Sequence, residues 1–396
     1  MDKTNEKKLN VGLFIDTFYP MVDGVIMVVD NYAKRLSKFC NVTVFTLKPR
    51  GYKKCVRTYP YKVVSCRKIF VPFLDYDLPT PKSDRKFMRQ LEAADLDIVH
   101  IHSPFTIGRV GIKYAKKHNV PVIANLHSQF KMDFYKVTKS KLITKMLLKK
   151  IVKTFNECDE FYATNKTFAQ VFLEYGVNHL PLVQQNGTDF IPIEDTETAI
   201  KTVNEKYNLP VDMPVFLFVG RINKLKNIYF LLDALNLLNN KHFKMIFVGD
   251  GQDLHDFKNK VASSSVKDNV IFTGKITDRE LLAALYLRAK LFLFPSMYDT
   301  NSLVQIEAAS QKTPTVFLKG SVTSATVTDN VNGFLSDPTP EAYAKRIEEI
   351  LADDELYNSV SEGAARDIYV SWDRCVQEIY ARYLEHIEKY KNKIAE

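Results

Sequence analysis

The chain is expected to fold as an α/β protein built from two doubly wound, parallel-sheet domains. Three observations predict this. Apolar strand-like runs alternate with helically spaced segments through both halves. The length of 396 residues suits two domains of ordinary size. The alternation restarts after a polar stretch over 191–201.

Each element follows from its own pattern. In the first half, 9–15 is an apolar run that reads as a strand, and the loop over 16–24 carries Pro20 and Gly24. Helical spacing over 26–39 precedes a strand at 42–47. A strand at 98–102 leads to a helix over 107–118 and a strand at 121–126. A long helix is expected from about 140 to 156, and short strands at 161–164 and 182–185 close the half.

The second half opens with a strand at 215–219, a helix over 228–238 and a strand at 244–248 that ends in Gly249-Asp250-Gly251. A helix over 254–263, a strand at 270–272, a helix over 278–289 and a strand at 291–294 follow. A helix from about 303, a strand at 315–318, a turn at Asn332-Gly333 and helices from 341 onward complete it. Parallel strands need right-handed crossovers, so the loops that leave the strands line one edge of each sheet. Open α/β sheets bind ligands there, and the expectation is two such edges facing across a cleft.

Composition narrows the class. With 46% hydrophobic and 26% charged residues the chain reads as globular rather than disordered. No apolar stretch approaches the ~18 residues of a membrane span, and the first ten residues lack the apolar core of a signal peptide. Five scattered cysteines without a C-x-x-C pair argue against a disulfide framework or a zinc ribbon, so a cytoplasmic location is expected. Residues 1–190 hold 31 Lys and Arg against 17 Asp and Glu, whereas the remainder holds 24 against 29. That asymmetry points to an anionic partner for the first half, with a merely solvated lysine-rich surface as the alternative.

The densest chemistry lies in FLFPSMYDTNSLVQIEAASQKTPTV, residues 292–316. A buried strand ends at Pro295-Ser296, a polar loop follows, and a helix begins near Leu303. Asp299 and Glu307 stand eight positions apart across that junction. A sugar nucleotide needs these groups together: N–H donors at a helix start for its diphosphate, and carboxylates for sugar and ribose hydroxyls. Gly220-Arg221 ends another strand, with Lys226 five residues on; two cations there can neutralise a leaving diphosphate. Gly24 follows the first strand, where a glycine lets backbone approach phosphate. His127 lies just beyond the strand at 121–126, placed to contact a sugar hydroxyl. His100 and His102 alternate on one strand face, but no third ligand stands at metal-binding spacing. Asp75-Tyr76-Asp77 sits in a Pro-rich loop away from the Asp299 segment and reads as a loop.

A second segment, KVTKSKLITKMLLKKIVKTF over 136–155, is amphipathic. Ile143, Leu147, Leu148, Ile151, Val152 and Phe155 form one apolar face. Lys139, Lys141, Lys145, Lys149, Lys150 and Lys153 take the other, with Leu142 and Met146 among them. A basic face carrying apolar residues suits the surface of an anionic bilayer. A helix with a wide core-facing side is the alternative.

In this order, FIDTFYPMVDGV, DIVHIHSPF, ANLHSQF, QQNGTDF, FVGRINKLKN, FVGDGQ, VIFTGKI, the Asp299–Glu307 segment, NGFLSD and a Trp372-containing C-terminal helix resemble a family 4 retaining glycosyltransferase of the GT-B fold. The opening and the basic helix look most like bacterial diacylglycerol glucosyltransferases. The resemblance implies two Rossmann-like domains: 1–190 with 372–396 on the acceptor side, and 191–371 binding the nucleotide sugar. It implies Glu307 on the ribose, Asp299 on the donor sugar, and Arg221 and Lys226 on the diphosphate. Gly24 would close over the phosphate, Gly220 would lie beside it, and His127 would contact the transferred sugar. Backbone near Ile276 would frame the base, while Asn301, Ser302, Leu303 and Val304 would offer N–H groups.

The implied chemistry needs no metal or other cofactor and retains the anomeric configuration. The expected activity is hexose transfer, with UDP-glucose as donor and a membrane lipid such as diacylglycerol as acceptor, at the inner face of the cell membrane. A soluble or polysaccharide acceptor, or a catalytically weakened binding subunit, are the alternatives. The family usually has Glu at the position of Asp299, and Gly at those of Ser302 and Lys312.

Overall fold

A computed structural model describes residues 8–21, 23–48, 57–70, 77–297, 299 and 302–395. Asn301, Asp75 and Tyr76, named above, lie outside the described residues. The chain divides into two compact units: one runs to Asn186 and resumes at Trp372, and the other spans Gly187–Ser371.

The first unit is built on strands β1 (Asn10–Phe14), β2 (Asn41–Leu47) and β3 (Lys62–Cys66), with a small antiparallel pair, β4 (Lys68–Ile69) and β5 (Leu78–Pro79). Strands β6 (Ile98–Ile101), β7 (Val122–Asn125), β8 (Glu160–Ala163) and β9 (Leu182–Val183) follow. The main sheet has the order β3-β2-β1-β6-β7-β8-β9, and its strand pairs are parallel. Its helices are α1 (Gly24–Leu36), α2 (Arg85–Glu92), α3 (Thr106–His118), α4 (Phe130–Thr138), α5 (Lys141–Phe155) and α6 (Lys166–Tyr175).

The second unit holds α7 (Thr196–Tyr207), β10 (Val215–Val219), α8 (Ile228–Leu237), β11 (Lys244–Val248), α9 (Leu254–Ala262) and β12 (Val270–Gly274). It continues with α10 (Arg279–Arg288), β13 (Leu291–Leu293), α11 (Leu303–Ser310), β14 (Thr315–Leu318), β15 (Phe334–Ser336), α12 (Pro340–Leu351) and α13 (Asp354–Asp367). The sheet order is β12-β11-β10-β13-β14-β15, again parallel. Strands β10, β11 and β13 are buried almost along their whole length, as expected for a sheet covered on both faces.

The last helix, α14 (Trp372–Ala395), belongs to the first unit. Trp372 meets Tyr32 of α1 edge-on at 6.0 Å, and the Tyr383 hydroxyl lies 2.7 Å from His100 Nδ1. A tryptophan and a buried tyrosine thus anchor α14 through apolar area and one hydrogen bond.

Several boundaries differ from the sequence reading. The first unit ends at Asn186 rather than at 190, because Thr188 donates its N–H to the Val370 carbonyl and Phe190 packs in the core of the second unit. Gly24 is the first residue of α1 rather than part of a loop, since Asp23 caps the helix by accepting from the Ile26 N–H. The helix expected from about 140 to 156 is α5, while residues 136–138 of the basic segment belong to α4. Lys139 takes a left-handed conformation (φ 49°) that stops α4, and Ser140 caps α5. Strands β3 and β15 and helices α2 and α6 were not assigned from the sequence, although Asn165 and Gly176 are an ordinary cap and stop for α6.

Candidate active site

In the second sheet the strand order reverses between β10 and β13, and the loops leaving those two strands hold most of the expected donor site. Gly220 and Arg221 follow β10. Asn223 then caps a short 3-10 turn, Lys224–Lys226, by accepting from the Lys226 N–H at 3.2 Å. Asn227 is left-handed (φ 60°), and its side-chain amide donates to the Pro295 carbonyl at 3.2 Å. The Ser296 hydroxyl donates to the Leu225 carbonyl at 3.4 Å. These bonds tie the loop after β10 to the loop after β13. They bring the Lys226 ammonium onto Asp299 Oδ1 at 2.5 Å, with the two side chains only 18% and 17% exposed. The same ammonium stands 5.3 Å from the centre of the Phe294 ring, within cation–π range. Asp299 Oδ2 is buried and finds no hydrogen-bond partner among the described residues.

Helix α11 starts immediately behind. Ser302 is its cap, and the serine hydroxyl accepts from the Gln305 N–H at 3.3 Å. A serine here is therefore structurally apt where the family usually has glycine. The N–H groups of Leu303 and Val304 belong to the first turn, which has no intrahelical acceptor for them. Glu307 points back from one turn inside. The Tyr286 hydroxyl donates to its Oε2 at 3.0 Å, and Arg279 Nη1 lies 3.3 Å from its Oε1. Burial raises the Glu307 pKa, while Arg279 and Tyr286 pull it back down. Burial and the neighbouring carboxylate push the Tyr286 phenol well above its usual range. Arg279 itself lies over the Phe190 ring at 3.9 Å.

Neither Arg279 nor Tyr286 was singled out from the sequence. Both lie on α10, and nothing in their spacing from Glu307 marks them as its partners. On β11's side, Gly249 has φ 141°, and a Cβ there would fall 1.8 Å from the Gly220 carbonyl oxygen. That glycine lets the loops after β10 and β11 lie against each other. Ile276 is half-buried in the loop after β12, and Arg221 is exposed.

In the first unit the order reverses between β1 and β6. Asp16 leaves β1 and accepts from the Ile107 N–H at 2.9 Å and the Ser103 hydroxyl at 2.5 Å. It thereby holds the start of α3, and burial pushes its carboxyl up to about 6. His102 Nδ1 lies 3.1 Å from His127 Nε2 with the rings stacked. His100 contacts Tyr383 on one nitrogen and Asn125 Oδ1 on the other, at 2.9 Å. Burial pushes His127 down to about 4 and His100 to about 3, so these rings are neutral at pH 7. Among the described residues, no three His, Cys, Asp or Glu side chains gather in a metal-binding arrangement. Asp77 is buried and paired with Lys68. Gly24 is exposed at the start of α1, with open space where a Cβ would stand.

The basic segment keeps its lysines exposed, Lys139, Lys145, Lys149, Lys150 and Lys153 among them. Leu142 is 78% exposed, and Met146 is also exposed. Ile143, expected on the buried face, is exposed; Thr144 takes the buried position in that turn. Exposed apolar side chains extend onto α4 at Met132, Tyr135 and Val137, the last 74% exposed. No helix among the described residues is long and apolar enough to cross a membrane.

Comparison with known proteins agrees with this architecture. The family Glycosyltransferase Family 4 matches residues 22–190, and Glycosyl transferases group 1 matches residues 199–367. The chain is similar to alpha-monoglucosyldiacylglycerol synthase of Streptococcus pneumoniae, 27% identical over 78% of this chain and 70% of that protein. It is also similar to the synthase of that name from Acholeplasma laidlawii, 23% identical over 98% and 99% of the two. Among solved structures, Anabaena HepE in complex with UDP and glucose superposes with a TM-score of 0.74 at 17% identity, covering 94% of this chain and 99% of that one. Sucrose-phosphate synthase from Thermosynechococcus elongatus gives 0.76 at 21% identity, covering 96% and 99%. With a Family 4 domain in its first half and a group 1 domain in its second, this chain belongs to the GT-B glycosyltransferases.

Proposed function

We propose that this protein is a retaining hexosyltransferase that moves glucose from UDP-glucose to a membrane lipid such as diacylglycerol, at the inner face of the cell membrane. The observation that carries the donor half of this reading is the junction of the β10 and β13 loops. There a lysine ammonium, a carboxylate oxygen with no partner among the described residues and the open N–H groups of a helix start adjoin one another. A nucleotide sugar matches that set. Its diphosphate takes Arg221, Lys226 and the Leu303 and Val304 N–H groups, with Gly220 alongside. Its sugar hydroxyls take Asp299, and its ribose takes Glu307, held in place by Tyr286 and Arg279. The base lies at the backbone near Ile276.

In the transfer, the bond from the anomeric carbon to the diphosphate oxygen breaks. The acceptor hydroxyl bonds to that carbon from the same face, and its proton passes to the departing phosphate. Lys226 and Arg221 stabilise the negative charge that develops on the leaving group, so the reading calls for no metal. The lipid acceptor is supported by the names of the two synthases above. Exposed Val137, Leu142 and Met146 among exposed lysines support contact with an anionic bilayer.

A panel of nucleotide sugars, offered with diacylglycerol in anionic vesicles and with soluble sugars, tests the reading. Glucosylated lipid formed from UDP-glucose is the expected product. Transfer from a different donor overturns the donor assignment, and equal transfer to soluble sugars without vesicles overturns the acceptor assignment. Nucleotide binding without turnover would make the chain a binding subunit.

A further inference from the structure

The first unit contains a cavity of about 540 Å³ that shares no lining residue with the site above. Its apolar lining comes from Pro79, Pro81, Val110 and Ile112. Lys82, from the turn after β5, and Arg109 and Lys113, one turn apart on α3, supply its charge. The neighbouring Lys82 ammonium holds Lys113 below the ordinary lysine range. Both lysines and Arg109 are exposed, and all three line the one cavity.

Some cations of this unit find carboxylates: Lys34 pairs with Asp30, Lys68 with Asp77 and Lys117 with Glu92. Among the described residues, no ion pair engages Lys82, Arg109 or Lys113. The one carboxylate at the cavity, Glu157, is held by Lys116 at 2.6 Å. Among the described residues the three cations outnumber the carboxylates that line the cavity, and the space beside them exceeds what a bare phosphate fills.

We propose that this cavity binds a phosphate ester with an apolar portion. The phosphoryl oxygens bridge Lys82, Lys113 and Arg109, whose guanidinium can engage two oxygens at once. The apolar portion lies over Pro79, Pro81, Val110 and Ile112. An anionic phospholipid and a soluble phosphate ester share this chemistry. The inference concerns binding alone and stands whether or not the transfer reading above holds.

Calorimetric titration of the full chain with dihexanoyl-phosphatidylglycerol as dispersed monomer, and separately with phenyl phosphate, tests it. Saturating UDP keeps both probes out of the nucleotide site. Binding that weakens at least tenfold in Lys82→Gln/Lys113→Gln and is unchanged in Lys312→Gln, a distant exposed lysine, supports the site. Binding of the lipid alone names a phospholipid as the source, and binding of phenyl phosphate alone names a soluble ester. Failure of both probes to bind the wild-type chain overturns the proposal. So does equal binding by the double variant, whose changes are exposed and whose thermal unfolding should match wild type.

Discussion

Lys226 and Asp299 lie 73 residues apart in the chain, yet their side chains meet at 2.5 Å, and the second carboxylate oxygen is buried with no partner among the described residues. The contact leaves two protons on the ammonium and one carboxylate oxygen, which the proposed function would direct to a diphosphate and a sugar hydroxyl. It also means that each residue positions the other before substrate arrives.

Lys226→Ala should therefore cost about 2–4 kcal/mol in kcat/KM, the range for removing one donor to a developing charge. Asp299→Ala should cost less and leave nucleotide binding in place. The double variant should lose less than the sum, with a coupling of about 1–2 kcal/mol, as for residues in direct contact. Strict additivity in steady-state kinetics would show that the pair does not act as a unit.

Tyr286→Phe removes one hydrogen-bond donor from a largely buried carboxylate. About 1–2 kcal/mol of nucleotide-sugar affinity should be lost, mostly as a raised donor KM with kcat little changed. An unchanged KM would remove Tyr286 from the positioning of Glu307.

Flotation with vesicles should require anionic lipid and weaken as salt rises. Leu142→Ser with Met146→Ser should reduce it severalfold by removing the apolar part of the contact, and Lys149→Gln with Lys150→Gln should flatten the salt response. Flotation indifferent to all four changes would place membrane contact elsewhere or nowhere.

His127 is pushed down to about 4 in the folded chain, against about 6.5 for the unfolded chain. The unfolded chain thus binds more protons between those values. The stability contributed by keeping this ring neutral is complete above about pH 6.5 and is lost as pH falls toward 4. His127→Asn should remove about 2–3 kcal/mol of that pH dependence in urea unfolding compared at pH 7 and pH 4.5. An identical acid slope in wild type and variant would contradict a buried neutral imidazole.

Lys312, one of the positions where the family usually has glycine, has φ 58° just past the end of α11. Its ammonium pairs with Glu362, but both side chains are more than half exposed, so the pair contributes little. Lys312→Gly should stabilise the second unit by about 0.5–1 kcal/mol in chemical denaturation. Destabilisation would mean that the ion pair outweighs the backbone strain.

Much of this protein was legible in the sequence because it is local. Strands 215–219, 244–248 and 315–318 coincide with β10, β11 and β14, since a fully buried parallel strand must be a short, continuous apolar run. The strand–loop–helix junction from β13 to α11 is likewise local, because Asp299, Ser302 and Glu307 stand within one stretch of chain. The helix from about 140 to 156 was read as α5 stands, but α4 before it was not. The left-handed Lys139 between them carries no glycine or proline signal.

What the sequence determined by itself is the set of strand ends and the residue types placed on them. The family, too, is carried by the order of motifs along the chain. Tertiary structure decided the partnerships. Parallel sheet order, with its reversal between β10 and β13, sets Lys226 against Asp299; helix packing sets Tyr286 and Arg279 against Glu307. Packing also buried Thr144 and exposed Ile143. Such pairings depend on where non-neighbouring elements dock, and that is settled by burial of the whole core rather than by any local periodicity.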